Sequence, residues 1–444
     1  MPSNETLYAL AEPIVQAPMA GGPSTAQLTA AVSQAGGLGF LAAGYQSVEA
    51  VKADIDRVRM QTESPFGLNV LLPSDPGDSA DVAALRRYAE RMGAEMRRLG
   101  VAAGAPRWED DAWEDKVALA CRERVPVVSF TFGCPSADTV RALQGAGSEV
   151  WVTVTEPEEA VWARDAGADA LVVQGLEAGG HRASFSDEEG HGLIGLLALL
   201  RLVAARVTLP LVGTGGVADG AGVAAVLAAG AHAAALGTAF MCTPEAGTSP
   251  VHRTALGGSA ATALTRAFSG RRARAINNRF MADHDGDAPR GYPQVHHVTA
   301  PLRAAGREQG DGEVVNLWAG QAHELARQMP AAELVRDLAA QARHSLQGAS
   351  TRARATPANP FDGSTSASTV PPGEVEIKVR DDGPYKVTGP ARLIDAEGGQ
   401  WQIEPGRSVV LCRCGHSAKR PFCDGAHRGR FAACERADGV GSPP

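Results

Sequence analysis

The chain has 444 residues, of which 44% are hydrophobic and 21% charged, so it can bury a sizeable core and is not broadly disordered. Its length exceeds one ordinary core and favours a barrel-sized domain with a small appendage. The net charge of −8 and the 5% of aromatic residues argue against a nucleic-acid-binding protein and against a protein of the membrane surface.

The sequence contains neither a membrane-spanning run nor a secretory signal. No stretch of about 18 consecutive apolar residues occurs. Residues 1–11 lack a basic region followed by an apolar one. We therefore expect a cytoplasmic protein, in which clustered cysteines bind metal and do not pair as disulfides.

Eight short apolar runs recur in the first part of the chain, with helical patterns between them. Most of the runs are continuously apolar, as expected of parallel strands buried on both faces. Eight strand–helix units within about 250 residues is the count of a (β/α)8 TIM barrel, with an open doubly wound sheet as the alternative. The runs are 14–19, 38–42, 66–72, 125–130, 149–154, 170–174, 209–213 and 233–237. Helices are predicted at 48–60, 157–166, 193–205 and 221–229, among others.

The pattern changes twice after the eighth run. Residues 250–345 are predicted to form helices and loops, including a helix over 321–345, and to make a helical subdomain on the barrel, so that the first domain spans 1–345. Residues 346–372 are rich in Ser, Thr, Ala and Pro, which is typical of a linker. Short β patterns then predict a small β-rich domain over 373–444, whose size favours a structural metal.

Four potential metal ligands lie close together in this last domain. Thiolates with one imidazole suit either zinc or an iron–sulfur cluster, and the spacing alone leaves these two open, with metal-free reactive thiols as a third reading. Cys434 lies outside the cluster. The four residues are Cys412, Cys414, Cys423 and His427.

The segment around these residues resembles the CDGSH iron–sulfur family. That family's pattern is Cys-x-Cys, eight residues, then Cys-Asp-Gly-(Ser/Ala)-His, and both spacings match here, with Ala426 before the histidine. The resemblance extends back through residues 383–389. It implies a [2Fe–2S] cluster held by Cys412, Cys414, Cys423 and His427.

Two glycine-rich turns follow the last two predicted barrel strands, at the rim where barrel active sites form. They occupy residues 213–216 and 236–238, and their backbone N–H groups can approach phosphate oxygens. Their positions indicate a phosphorylated cofactor such as FMN. A dinucleotide fingerprint is absent after the first strand.

His181 follows the sixth predicted strand, directly after Gly179 and Gly180. The glycines leave room for a flat ring, and an imidazole suits proton abstraction near neutral pH. An exposed loop histidine is an equal alternative on spacing alone. The basic run at 271–274 is typical of a solvated face. No role is assigned to His284, His296 or His297.

Residues 8–345 resemble the nitronate monooxygenase family of FMN-dependent TIM barrels. The shared motifs occur in order: Gln16-Ala-Pro-Met19, Phe66-Gly-Leu-Asn69, residues 174–181, Gly215-Gly216, Gly237-Thr238-Ala-Phe240, residues 268–274, Asn277 and Leu317-Trp-Ala-Gly320. The resemblance implies that His181 is the catalytic base or orients the nitronate. It implies that FMN is bound by Pro18, Met19, Asn69, Gln174, Gly179, Gly180, Gly215, Gly216, Ala235, Leu236, Gly237 and Thr238.

The activity implied by this resemblance is oxidation of alkyl nitronates, and of nitroalkanes, by O2 to carbonyl compounds and nitrite. Such a reaction needs no iron–sulfur cluster, so the fused module leaves three interpretations open. In the first, the cluster exchanges electrons with FMN or with an external redox partner. In the second, the barrel is an NAD(P)H-dependent reductase, for instance of quinones. In the third, the module is an independent cluster-sensing or cluster-transfer domain, joined to the enzyme by a tether.

Overall fold

The computed structural model describes residues 5–75, 81–354, 375–388, 391–401 and 408–425. The chain divides into two compact units, Met1–Gly348 and Ala349–Pro444. Among the described residues, none of the helices is both long and apolar enough to cross a membrane.

The first unit contains a closed barrel of eight parallel strands, which confirms the predicted fold. Neighbouring strands follow the order β1-β9-β8-β6-β5-β4-β3-β2. A parallel bridge between Val15 and Leu38 joins the two ends of this order, with Gln16 N donating to Leu38 O at 2.9 Å. The open-sheet alternative is therefore wrong. The strands are β1 (Ile14–Gln16), β2 (Phe40–Ala42), β3 (Gly67–Leu71), β4 (Val127–Thr131), β5 (Glu149–Val154), β6 (Ala170–Gln174), β8 (Leu211–Thr214) and β9 (Ala233–Leu236).

Helices cover the outside of the barrel and begin at local sequence signals. The helix α8 matches its predicted bounds because Pro157 occupies its first turn, Glu156 and Glu159 form a capping box, and Gly167 ends it at φ 97°. The outer helices are α2 (Ala26–Gln34), α3 (Val48–Gln61), α6 (Trp113–Arg122), α7 (Ala137–Gly145), α8 (Pro157–Ala166), α9 (Leu196–Ala204) and α10 (Gly220–Ala228).

The interior of the barrel is filled by side chains and closed at its amino-terminal end. Phe40 and Trp151 are fully buried inside the barrel, with ring centroids 5.7 Å apart, and also line the cavity at its carboxyl end. Leu7, from the short helix α1 (Glu5–Ala9), packs against the same cluster. The opposite end, where the strands finish, is left for a site.

A second layer lies against the barrel and differs from the predicted helical subdomain in two ways. Residues 250–345 contain two strands, β10 (Thr262–Thr265) and β11 (Ala273–Ile276), which pair antiparallel with each other. Residues before 250 also take part, since α4 (Val82–Arg91) and α5 (Gly93–Leu99) share a hydrophobic core with α13 (Gln294–Gln309). Two shorter helices complete the layer: α11 (Pro250–Leu256) and α12 (Arg279–His284).

The helix predicted over 321–345 is displaced. It begins at Ala331, because Pro330 lacks an N–H group and disfavours helical geometry in the residue before it. It continues to Arg354, so residues 346–354 of the predicted linker are helical. Leu334 and Leu338 of this helix, α14 (Ala331–Arg354), are buried against the barrel core. The rest of the predicted linker lies outside the described residues.

The second unit is β-rich, as predicted. An antiparallel sheet has the order β12-β13-β16, formed by Glu376–Val379, Tyr385–Thr388 and Val409–Leu411. A separate hairpin pairs β14 (Leu393–Ile394) with β15 (Gln400–Trp401). The guanidinium of Arg413 lies 5.2 Å from the ring centroid of Tyr385 and covers that sheet's middle strand.

Candidate active site

A cavity of about 600 Å³ lies at the carboxyl ends of the barrel strands, a volume in the range of cofactor and substrate sites. Every residue that the sequence assigned to cofactor binding lines it except Leu236, which is buried in the core between the barrel and its outer helices. Side chains alternate along a strand, so Leu236 points away from the side that Ala235 occupies. The assigned residues that line the cavity are Pro18, Met19, Asn69, Gln174, Gly179, Gly180, Gly215, Gly216, Ala235, Gly237 and Thr238.

Asn69, on β3, has its amide nitrogen fully occupied by the barrel. Nδ2 donates to Ser129 Oγ at 2.9 Å and to Thr131 Oγ1 at 3.0 Å. For Oδ1 there is no donor within hydrogen-bonding distance among the residues that the structure describes. Asn69 therefore presents an acceptor to a ligand, which suits a ring N–H group.

The glycines of the cavity serve two different purposes. A Cβ atom on Gly179 would lie 2.5 Å from the backbone of Ala319 and Gly320, so this glycine is required by the approach of two chain segments. A Cβ atom on Gly237 would have Met19 Sδ, at 3.6 Å, as its nearest neighbour. The space beside Gly237 therefore belongs to the cavity and is available to a ligand.

His181 is held by a sheet that forms after the barrel strands. With Gly180 it makes the two-residue strand β7, which pairs antiparallel with β11 through Ala273 and Arg274. Gln174, at the end of β6, fixes the loop that contains His181, since its Nε2 donates to His181 O at 3.2 Å. The backbone around His181 is thus tied to both the barrel and the second layer.

The imidazole of His181 lies in an aromatic surrounding. Its ring centroid is 5.4–5.7 Å from those of Phe132, Tyr292 and Trp318. Burial, and then the nearby Arg271 guanidinium, lower the pKa of His181 to about 3. The side chain is therefore neutral at physiological pH and can accept a proton.

The hydrogen bond to Ser269 indicates which nitrogen of His181 carries the proton. His181 Nε2 lies 2.8 Å from Ser269 Oγ, and the Ser269 hydroxyl donates to Arg271 O at 3.1 Å. A hydroxyl has one proton, so Ser269 Oγ accepts from Nε2–H. This assignment leaves Nδ1 of His181 as the basic nitrogen.

The basic run at 271–274 is buried, contrary to the solvated face that the sequence indicated. Arg271 is 7% exposed and donates to Arg182 O and Ser184 O. Arg272 pairs with Asp187, and Arg274 donates to Leu176 O. Carbonyl oxygens of the loop after β6 satisfy these cations, so the run fastens the His181 loop.

The sequence assigned no role to several residues of the cavity wall, three of which belong to α13. His296, to which no role was assigned, lies on α13 and lines the cavity together with Arg303 and Arg307. Burial lowers the pKa of His296 to about 2 and that of Arg303 to about 10, so the first is neutral and the second charged at pH 7. No local pattern distinguishes them, because they meet the barrel only through tertiary packing. Tyr45, His252 and Trp318 also line the cavity.

The three predicted cysteine ligands of the second unit lie around one end of β16. Cys412 N donates to Pro421 O at 2.7 Å and Cys423 N donates to Val410 O at 2.8 Å, which brings the two segments side by side. The sulfur atoms of Cys412 and Cys414 are 3.7 Å apart. His427 and Cys434 lie outside the described residues. Within the described ranges alone, no group of three or more metal-binding side chains is arranged to hold an ion.

Comparison with protein families gives one match for each part of the chain. Residues 4–341 match the family described as nitronate monooxygenase. Residues 382–428 match the family described as iron-binding zinc finger, CDGSH type.

Individual relatives agree with the first match. The chain is 44% identical to a nitronate monooxygenase of Pseudomonas aeruginosa over 343 residues, which are 75% of this chain and 96% of the relative. It is 39% identical to one of Paraburkholderia phytofirmans over 352 residues, covering 77% and 95%. Among solved structures, it is similar to a nitroalkane oxidase from Streptomyces ansochromogenes (TM-score 0.74, 45% identity, 77% and 99% covered). It is also similar to FabK from Thermotoga maritima (TM-score 0.62, 25% identity, 79% and 98% covered).

Proposed function

Because the chain belongs to the nitronate monooxygenase family of flavin-dependent oxidoreductases, we propose that it binds FMN and oxidises alkyl nitronates with O2 to carbonyl compounds and nitrite. We extend the proposal to neutral nitroalkanes, from which His181 removes the α-proton. The main observation in support of this proposal is the neutral imidazole of His181, which lies on the wall of a glycine-lined cavity at the carboxyl ends of the barrel strands.

The residues present fit FMN. The free Oδ1 of Asn69 would accept from the flavin ring, and the open space beside Gly237 would admit it. The turns at Gly215-Gly216 and Gly237-Thr238 would hold the phosphate with backbone N–H groups. When bound, the flavin supplies the electron transfer of the reaction.

The protein itself supplies position, charge and a proton acceptor. Arg303 lines the cavity without a carboxylate within 4 Å in the described part of the chain, so its charge suits an anionic nitronate. With a nitroalkane, Nδ1 of His181 takes the α-proton while Ser269 keeps the ring in the required tautomer. The surrounding aromatic rings exclude water from this step.

The proposal is tested by mixing the flavin-loaded protein anaerobically with a nitronate, with NADH or with NADPH, and following the flavin absorbance. Rapid bleaching by the nitronate, and nitrite release once O2 is admitted, are the expected results. Bleaching by NADH or NADPH without any response to nitronate would replace the proposal with the reductase alternative.

For the second unit we propose a [2Fe–2S] cluster bound by Cys412, Cys414, Cys423 and His427. The family match over residues 382–428 and the 3.7 Å separation of the Cys412 and Cys414 sulfurs support it. Iron and sulfide analysis of the full chain tests the cluster. In the anaerobic experiment, a cluster absorbance that changes with the flavin supports electron exchange, whereas an unchanged one supports an independent module.

A further inference from the structure

Tyr45 lies in the turn after β2, and within the described part of the chain its hydroxyl proton has no acceptor. Tyr45 lines the cavity, and its hydroxyl accepts a hydrogen bond from Tyr292 at 3.0 Å. The ring of Tyr292 lies against His181, with centroids 5.6 Å apart. No acceptor for the Tyr45 proton lies within reach among the residues that the structure describes. Burial raises the pKa of Tyr45 to about 12, so the hydroxyl keeps this proton.

Tyr45 has a backbone conformation that is unfavourable for a tyrosine. Its φ angle is 66°, in the left-handed region that a residue with a Cβ atom seldom occupies. Such strain persists only where the surroundings enforce it, and it concentrates at functional sites. The ring is further fixed by stacking on His296, with centroids 4.4 Å apart and planes inclined by 5°.

Asp111 is the residue that enforces this geometry. Its Oδ1 accepts from the backbone N–H of Tyr45 at 3.0 Å. The same oxygen lies 2.8 Å from Nζ of Lys116, whose side chain is 0% exposed. A buried ammonium group is costly unless it is paired, so this ion pair is a built feature of the wall behind Tyr45.

We propose that Tyr45 is a substrate-binding residue, whose hydroxyl donates to an oxygen of the nitro or nitronate group, and that Asp111, paired with Lys116, is its positioning residue. This inference rests on the proposed function for the identity of the substrate. It assigns the nitro group to the part of the cavity bounded by Tyr45, His296 and His181. When the acceptor is an anionic nitronate, this hydrogen bond is of the stronger, charge-assisted kind.

The first test removes only the hydroxyl, with Tyr45→Phe. Nitrite, an anion of similar oxygen geometry, serves as the binding probe, and its Kd is measured from the perturbation of flavin absorbance. We expect Kd for nitrite and KM for a nitronate to rise tenfold or more, with a much smaller change in kcat and unchanged flavin content. The control is Tyr8→Phe, because Tyr8 is 62% exposed and remote from the cavity. Unchanged Kd and KM in Tyr45→Phe would overturn the proposal.

The second test addresses Asp111 with two double variants that are both free of the buried charges. Asp111→Asn/Lys116→Met keeps an oxygen that can accept from the Tyr45 N–H, whereas Asp111→Ala/Lys116→Met does not. We expect Kd for nitrite within about threefold of wild type in the first and at least tenfold weaker in the second. Equal affinities in the two would refute the positioning role. If the wild type binds nitrite but does not oxidise nitronates, the proposed function fails while the nitrite measurements still test Tyr45.

Discussion

Replacing His181 by Asn should separate the two substrate classes of the proposed reaction. Asparagine keeps a neutral polar side chain at this position, although it is too short to reach Ser269 Oγ in place of Nε2, and it supplies no base. A neutral nitroalkane must lose its α-proton in the site, whereas a nitronate arrives without it. We expect turnover of the nitroalkane to fall about 10²–10⁴-fold, the usual contribution of a general base, which is about 3–5 kcal/mol of barrier. Turnover of the nitronate should fall by no more than about tenfold.

The pH dependence gives a second measure of the same assignment. A base works only when deprotonated, and the pKa of His181 is lowered from 6.5 to about 3. The wild-type kcat/KM for a nitroalkane should therefore stay flat as pH falls from 8 to about 4, because protonation of the free enzyme begins only below that.

The assay is initial-rate O2 consumption with the same compound supplied either as nitroalkane or as preformed nitronate. His232→Asn is the matched control, because His232 is exposed at the start of β9, away from the cavity. Equal losses on the two substrates in His181→Asn, or a wild-type acid limb near pH 6.5, would refute the base assignment.

Three further predictions concern the cofactors and the stability of the fold. Gly237→Ala should weaken FMN binding about tenfold or more without lowering the apoprotein Tm, because the added Cβ meets no protein atom closer than 3.6 Å. Gly145→Ala is the control: its Cβ also has free space, and we expect it to change neither FMN binding nor Tm. An unchanged FMN affinity in Gly237→Ala would count against the proposed site. Burial lowers the pKa values of His181, His252 and His296, so between these lowered values and pH 6.5 the unfolded chain binds more protons than the folded one. The free energy of unfolding should therefore fall as the pH drops below 6.5, by about 1.4 kcal/mol per pH unit for each histidine. His296→Gln should reduce this pH dependence, measured by urea titrations at several pH values. Equal unfolding free energies at pH 7 and pH 5 would contradict it. Cys423→Ser should abolish the cluster absorbance and leave the flavin intact, whereas Cys434→Ser should keep both; a retained cluster in Cys423→Ser would remove it from the ligand set.

The parts of the fold that could be predicted from the sequence depend on local signals. Each barrel strand is a short run of mostly apolar residues, and α8 is bounded by a proline, a capping box and a glycine that lie within a dozen residues of one another. The predicted start of the helix over 321–345 was wrong because the apolar periodicity continues on both sides of Pro330. The helix begins only after this proline, at Ala331.

The candidate site was predictable only where motifs follow barrel strands. Glycine turns and His181 occupy fixed positions at strand ends, and topology then gathers them. Tyr45 and Tyr292 are 247 positions apart and touch only because α13 and the turn after β2 meet over the cavity. The burial of Arg271 and Arg274 was not predictable, because their acceptors are backbone carbonyl groups, which every residue carries and which give no sequence signal.

The pairing of β7 with β11 has a consequence for biosynthesis. His181 reaches its final orientation only when residues 273 and 274 dock beside it, almost a hundred positions downstream. During synthesis on the ribosome, the eight barrel strands, the last of which ends at Leu236, emerge before that partner. A nascent chain therefore completes the eight barrel strands while the segment that contains His181 still lacks its partner strand, so this edge of the cavity forms after the barrel itself.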